Sequence, residues 1–188
     1  MKPSIDAGKL RDVLQVLELA ESPEGTWTWQ KVRKARGQVE LSTGRNLFST
    51  VGIGARGAEI VLRRQDLTLH NALLWGEQHL FLTAILPEGR LHLRVQAALV
   101  TVDTVALQKD ENTVEKTFPG VLTEKYIQHE QEWPMSRNQL SLVLVVPKVI
   151  VLEPGRLVRA RGGLWEVLVS HELDEYKNEY EIGRTADL

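Results

Sequence analysis

VELSTGRNLF, residues 39–48, is the stretch that decides the fold of this chain. Its first half alternates apolar with polar side chains, which is typical of a β-strand with one buried face. Its second half leads into a segment rich in glycine, a residue that favours loops. We therefore predict a strand that ends near Ser42 and a long loop from Thr43 to Gly57. The glycines of this loop are Gly44, Gly52, Gly54 and Gly57.

Extended patterns lie on both sides of this stretch. Residues 26–29, TWTW, are bulky or β-branched and favour a strand from Trp27 to Val39. Near the start, residues 13–19 fit a strand, but the spacing of their apolar side chains from Leu10 onward also fits an amphipathic helix. After the loop, three more apolar segments are separated by polar turns, which predicts a mainly β protein. These segments are residues 59–64, 67–75 and 78–86.

The second half of the chain repeats the order of the first. Residues 100–107 resemble the first strand, and the continuous apolar run at 142–146 is typical of a strand buried on both faces. Gly162-Gly163 predicts a tight hairpin turn, and the hairpin around it parallels the one at 67–85. Because Pro87-Glu88-Gly89 interrupts the chain near its middle, we predict a duplicated β module. The predicted modules are residues 1–88 and 89–188.

The composition is that of a globular protein, with 43% hydrophobic and 26% charged residues among 188. The chain has no cysteine, which excludes disulfides, thiolate nucleophiles and sulfur-ligated zinc, and suits assembly in a reducing cytoplasm. No apolar run reaches the ~18 residues that span a bilayer, so no membrane partner is predicted. Charges at Asp6, Lys9 and Arg11 stand where a secretory signal would be apolar, and we predict no such signal.

The charges are unevenly distributed, although the formal net charge is only -2. Residues 31–64 contain eight basic and two acidic side chains, whereas residues 171–188 contain six acidic and two basic ones. A chain polarised in this way can stack head to tail with copies of itself or with neighbours. The alternative interpretation is that both segments are solvated faces that bind nothing.

Residues 52–57, GIGARG, fit the G-x-G-x-x-G pattern of dinucleotide-binding sites, with Glu77 placed where an acid could bind the ribose. A small dinucleotide-binding enzyme is therefore an alternative function. That fold requires a helix directly after the glycines, but the residues that follow become β-branched within three positions. The conformational freedom of glycine within a loop explains this pattern better than a dinucleotide-binding site does.

No pattern of catalytic or metal-binding residues is found in the sequence. The histidines are scattered without ligand spacing, and no G-x-S-x-G motif is present, so we predict no enzyme, no metal and no cofactor. The tryptophans could stack on nucleic-acid bases, but packing in a core or interface is the favoured interpretation. These residues are His70, His79, His92, His129, His171, Trp27, Trp29, Trp75, Trp133 and Trp165.

The order of these motifs resembles the head-closure, or head-tail joining, proteins of tailed bacteriophages. The resemblance rests on the Trp-x-Trp pair, on VELSTGR followed by glycines, on IVLRR at 60–64 and HLFLTAI at 79–85, and on HELDEYKNEYEI at 171–182. It implies small antiparallel β-barrels, a strand at residues 13–19, and a ring of twelve copies at the head-tail interface of the virion. In such a neck, the portal or adaptor lies on one side and the tail terminator or tail tube on the other. A tail-terminator or tail-completion ring is the alternative role within this class.

The resemblance also implies a role for the predicted loop. In head-closure proteins the corresponding loop projects into the ring channel, where it faces packaged double-stranded DNA without sequence specificity or packs against the next subunit. From the charge polarity of the chain alone, the acidic C-terminal run is expected to form a docking surface for the tail at Glu172, Asp174 and Glu175. The expected channel-loop residues are Gly44, Arg45, Leu47, Phe48, Val51, Gly52, Ile53, Gly54, Arg56 and Gly57.

Overall fold

The computed structural model describes residues 7–110, 112–125 and 141–185. Within these ranges the regular structure is one short 3-10 turn, Ala7–Lys9, followed by twelve β-strands. The first six strands are β1 (Asp12–Glu21), β2 (Trp27–Asn46), β3 (Ala55–Arg63), β4 (Ala72–Trp75), β5 (Gln78–Glu88) and β6 (His92–Val100). The last six are β7 (Asp103–Gln108), β8 (Val114–Glu124), β9 (Ser141–Pro147), β10 (Leu157–Ala160), β11 (Gly163–His171) and β12 (Lys177–Arg184).

The strands form two closed antiparallel barrels of six strands each. Around the first barrel the order is β1, β2, β3, β6, β5, β4, and β4 pairs with β1 to close it. Around the second the order is β7, β8, β9, β12, β11, β10, and β10 pairs with β7. The two orders are identical when each barrel is numbered from its own first strand. This identity confirms the predicted mainly β fold and its duplication.

The boundary between the modules lies later than predicted. The chain divides into two compact units, and the main change from the first unit to the second falls between Thr101 and Val102. β6 completes the first barrel by pairing with β3 and β5, so a division after residue 88 would remove one of its strands. Pro87 and Glu88 are the last residues of β5, and the hairpin turn to β6 follows at residues 89–91, where Gly89 has φ +63°. The Pro-Glu-Gly signal in the sequence therefore marks a hairpin inside the first module and not the end of that module.

The core of the first barrel is built from alternate residues of its strands. In β1, Leu14 and Val16 are buried, while Val13 and Gln15 are not, and the strand pairs in register with β4. The strand interpretation of residues 13–19 is therefore confirmed over the helical one. The buried core of this barrel is Leu14, Val16, Ala35, Ile60, Leu62, Leu73, Leu80, Leu82, Leu93, Val95 and Ala97.

The second barrel has a separate core. Val143 to Val146 are buried in succession, as predicted for a strand covered on both faces. The hairpin predicted at Gly162-Gly163 is present, and its two turn residues, Arg161 and Gly162, both have positive φ, as a two-residue hairpin turn of type I′ requires. Trp27 packs against this core, which agrees with a packing role for that tryptophan.

His79 gives the first barrel a built-in sensitivity to acid. Its imidazole is 5.6 Å from the ring of Trp29, centre to centre, and burial lowers the pKa of His79 to about 4. The unfolded chain protonates this histidine near pH 6.5, so between pH 6.5 and 4 the unfolded state binds a proton that the folded barrel does not. The free energy of unfolding therefore decreases as the pH is lowered through this range. The full loss is up to about 3 kcal/mol.

We therefore expect His79→Phe, which keeps a ring beside Trp29, to flatten the pH dependence. The melting temperature of the variant should fall less than that of the wild type between pH 6.5 and 4. The exposed His70 is the matched control, and His70→Phe should leave the slope unchanged. Parallel slopes for wild type and His79→Phe would show that another group causes the acid sensitivity.

Candidate functional site

The predicted loop between Thr43 and Gly57 is shorter than its glycines suggest. β2 continues to Asn46 and β3 begins at Ala55, so only residues 47–54 connect the strands. Leu41 pairs with Ala58 and Arg45 with Arg56, which leaves residues 42–44 as an extra bulge on β2. The backbone NH of Gly44 donates to the Ser42 hydroxyl over 3.1 Å within this bulge. The motif therefore builds most of a hairpin instead of a free loop.

Residues 49–53 of the connection belong to the second compact unit. Gly52 forms a β-bridge with Lys125 just after β8. The backbone NH of Ile53 donates to the Glu124 carbonyl over 2.9 Å, and the Thr123 hydroxyl donates to the Ile53 carbonyl over 2.7 Å. The segment is thus fixed to the end of β8.

A buried carboxylate fixes the same segment from a second side. Glu179 of β12 is 2% exposed, and it accepts hydrogen bonds from the Ser49 hydroxyl (2.6 Å) and the Thr50 backbone NH (3.0 Å). Lys177 places its ammonium 2.8 Å from the other oxygen of Glu179. Burial raises the pKa of Glu179, but the hydrogen bonds from Lys177, Ser49 and Thr50 outweigh it and bring the pKa below the ordinary value. The carboxylate is therefore ionised at neutral pH.

The sequence carried a weak signal for this network. Lys177 and Glu179 alternate along a strand and are both buried, although charged side chains are rarely buried unless they are paired. Sequence reasoning assigned them to an acidic surface run because their partners are distant. The Ser49 hydroxyl that reaches Glu179 is 130 positions away along the chain.

The ten predicted channel residues divide by exposure. Phe48 is 2% exposed and packs against Phe81, with ring centres 5.7 Å apart, while Gly52 and Gly57 are also buried. These three residues are therefore unavailable to DNA or to another subunit. Val51, Ile53 and Gly54 are half-buried. The residues that remain exposed are Gly44, Arg45, Leu47 and Arg56.

The exposed end of the hairpin presents an unusual pair of like charges. Arg45 and Arg56 face each other across β2 and β3, and neither has an ion-pair partner among the described residues. Arg45 and Leu47, which is 77% exposed, border an open cavity of about 480 Å³. The same cavity includes Glu59, whose carboxylate pairs with Arg94. The arrangement can receive an anionic group at the Arg45–Arg56 pair.

Because directly opposed like charges destabilise a sheet, we expect Arg56→Glu to stabilise the first barrel by about 0.5–1 kcal/mol. Thermal unfolding at low salt should show a higher melting temperature, and the gain should shrink in 1 M salt as the charges are screened. Arg11→Glu, which changes an exposed arginine outside the hairpin, is the matched control. An equal or lower melting temperature for Arg56→Glu would mean that the two arginines do not oppose each other.

The acidic run forms the β11–β12 loop and the start of β12. Glu172 accepts hydrogen bonds from the hydroxyls of Ser170 (2.6 Å) and Tyr180 (3.2 Å). Asp174 accepts one from the Tyr176 backbone NH (2.8 Å), whereas Glu175 is exposed. All three residues of the expected docking surface therefore lie together on one loop.

The dinucleotide-binding alternative does not fit the fold. Its glycines run from the bridge at Gly52 into β3, whereas the motif requires a strand, a tight turn and then a helix. In the ranges that the structure describes, the one helical element is the 3-10 turn at Ala7–Lys9. Glu77 lies in the turn between β4 and β5. The close packing of Gly52 and Gly57 explains these glycines instead.

Three further observations concern the described residues alone. No group of three or more His, Asp or Glu side chains there could hold a metal ion. None of the helical structure there is long and apolar enough to cross a membrane. His129 and Trp133 lie outside the described residues.

Comparison with known proteins adds no relative to this picture. No protein-family model matches the chain, and no curated protein and no solved structure matches it either.

Proposed function

We propose that this chain is a structural protein of the tailed-phage neck, which assembles into a ring between the portal or adaptor and the tail. In this role the ring helps to retain packaged DNA in the head and offers the tail its attachment surface. The order of motifs along the sequence supports the proposal, and so does a fold of two small antiparallel barrels with the same strand order.

The observation that carries the proposal is the exposed end of the β2–β3 hairpin. Arg45 and Arg56 oppose each other there at a cost in stability, and no carboxylate among the described residues pairs with either. Two arginines can bind phosphate oxygens without reading the bases, as a channel around passing DNA requires. In a ring, each copy would contribute one such pair to the wall of the channel.

The anchoring of residues 49–53 changes how retention would work. The gate is not a flexible glycine loop, since Glu179 and the end of β8 hold that segment in place. The exposed parts are the bulge at residues 42–44 and the side chains of Arg45, Leu47 and Arg56. Retention would therefore depend on a fixed constriction with charged and apolar side chains, closed by assembly of the ring.

Electron microscopy of the purified protein over a range of concentrations tests this function. We expect closed rings with a central opening wide enough for a DNA duplex, and mass photometry should give one discrete large species. Antibody labelling of separated heads and tails then distinguishes the neck from the tail-terminator role, because a neck ring stays on the filled head. A strictly monomeric protein, or open filaments alone, would overturn the proposal.

A further inference from the structure

A second open cavity of about 480 Å³ lies on the first barrel, at the end of the β2–β3 ladder opposite Arg45 and Arg56. Its floor is apolar, since Leu10 and Ala35 are both buried. Its rim is strongly basic, and none of the described residues that line it carries a carboxylate. The lining residues are Leu10, Lys34, Ala35, Arg36, Arg63, Arg64 and Gln65.

The four cations of this basic cavity are not neutralised by any of the described residues. None of their side chains has an ion-pair partner within the residues that the structure describes, and all four are exposed. Elsewhere on the same barrel, Arg94 is neutralised by Glu59 and by Glu88. Four like charges around one opening repel each other and create a strong local field. An acidic partner would relieve this repulsion.

A loop of matching chemistry lies on the second barrel. Residues 172–175, ELDE, lie in the connection between β11 and β12 and carry three carboxylates. Asp174 is 3.7 Å from the Lys177 ammonium, whereas Glu172 and Glu175 have no ion-pair partner among the described residues. At the tip is Leu173, whose side chain is 102% exposed. A leucine exposed in this way between acidic neighbours suits a cavity with an apolar floor and a basic rim.

The ELDE loop is held in its shape before it meets any partner. Lys148 donates from its ammonium to the Glu172 carbonyl (2.6 Å) and from its backbone NH to the Tyr176 carbonyl (3.1 Å). Asp174 closes the turn by accepting the Tyr176 backbone NH over 2.8 Å. A loop fixed in this way loses little conformational entropy on binding, so Leu173 is presented as a preformed anchor.

We propose that the ELDE loop of one copy of this chain docks in the basic cavity of the next copy. Leu173 covers Leu10 and Ala35, and the carboxylates face Arg36, Arg63 and their neighbours on the rim. The proposal rests on the ring assembly proposed above and names the contact that builds it. Loop and cavity occur once in each chain, so the contact is head to tail and repeats from copy to copy until the ring closes.

Two complementary variants test the contact. The loop variant carries Leu173→Ser and Glu175→Lys, and the cavity variant carries Arg63→Glu and Arg64→Glu. Either variant alone should self-associate at least about thirtyfold more weakly than the wild type. The loop variant loses its leucine anchor, and the cavity variant has a rim of reversed charge. A mixture of the two should form a dimer and nothing larger, because only one intact loop and one intact cavity remain to meet. Sedimentation velocity or mass photometry resolves these species.

The mixture also controls for folding, since a misfolded variant could not form the dimer. Charge-matched controls lie on other surfaces: Lys109→Glu with Arg184→Glu for the cavity variant, and Glu24→Lys for the loop variant, all at exposed positions. Both controls should assemble like the wild type. The proposal is overturned if the mixture stays monomeric, if either test variant assembles normally, or if the controls lose assembly equally.

The remaining outcomes separate this contact from the function it serves. Open filaments that depend on the loop and the cavity would support the contact and overturn the closed ring of the neck. Rings that form equally well from both variants would support the neck function and overturn the contact. If the cavity variant assembles normally but loses binding to a fluorescent DNA duplex, the cavity receives phosphate instead of the loop, and the proposal fails.

Discussion

Replacement of Glu179 by alanine is expected to lower the free energy of unfolding of the second barrel by about 4 kcal/mol. The substitution removes the acceptor for the Ser49 hydroxyl and the Thr50 backbone NH, and it leaves the ammonium of Lys177 buried. The next carboxylate, on Asp174, is 3.7 Å from that ammonium and partly exposed. Chemical denaturation followed by tryptophan fluorescence should show the transition of this unit at lower denaturant.

The buried ammonium of Lys177 makes this prediction specific. If the buried ammonium causes much of the loss once Glu179 is removed, Lys177→Met in the Glu179→Ala background should recover part of the stability. Glu166→Ala is the control, because this glutamate of β11 is half-buried and has no ion-pair partner among the described residues. A cost below about 1 kcal/mol for Glu179→Ala, as for an exposed ion pair, would contradict the buried network.

The same network predicts how the difference in free energy of unfolding between the wild type and Glu179→Ala depends on pH. The pKa of Glu179 is lower in the folded state than in the unfolded chain, so its contribution is present above the unfolded pKa and is lost as pH falls through the folded pKa. The gap between wild type and Glu179→Ala should therefore narrow in acid. A gap that widens in acid would assign the stabilisation to a protonated carboxyl.

The fold was predictable because each module is encoded by local patterns. Alternation in β1 and the apolar run of β9 depend on neighbouring residues, and both strands formed where the sequence indicated. The repeated order of strand and turn signals also predicted the duplication. The module boundary was missed because the turn at Gly89, in the hairpin between β5 and β6, gives the same local signal as a linker.

The candidate site was less predictable, because its geometry depends on residues far apart in the chain. The glycines between Thr43 and Gly57 indicated a flexible loop, but Gly52 is required by close packing at the end of β8. The pairing of Arg45 with Arg56 depends on a bulge that shifts the register of β2, and composition does not encode such a shift. Local charge balance did indicate a basic and an acidic region, and the structure places four of the basic side chains at one cavity and three of the acidic ones on one loop.

Gly52→Ala is expected to destabilise the second barrel by about 3 kcal/mol, near the upper end of the usual cost of overpacking. A Cβ at this position would lie 2.2 Å from the Thr123 methyl group and 3.0 Å from the Ser49 hydroxyl. The Glu124 carbonyl, 3.4 Å away, blocks a third direction. The segment could accept the methyl group only by breaking its β-bridge with Lys125 or its bonds to Glu179, so melting of this unit should begin at a lower temperature.

A compensating substitution shows whether this clash is the cause. Thr123→Ser removes the methyl group that the new Cβ at position 52 would meet, yet it keeps the hydroxyl that donates to the Ile53 carbonyl. The double variant Gly52→Ala with Thr123→Ser should therefore recover much of the lost stability, measured by thermal unfolding beside both single variants. Gly44→Ala is the control in the same hairpin, because a Cβ there meets nothing closer than the Ser42 hydroxyl at 3.6 Å. If Gly52→Ala melts like Gly44→Ala, residues 49–53 are not packed against β8, and a flexible gate would again be the better interpretation of this loop.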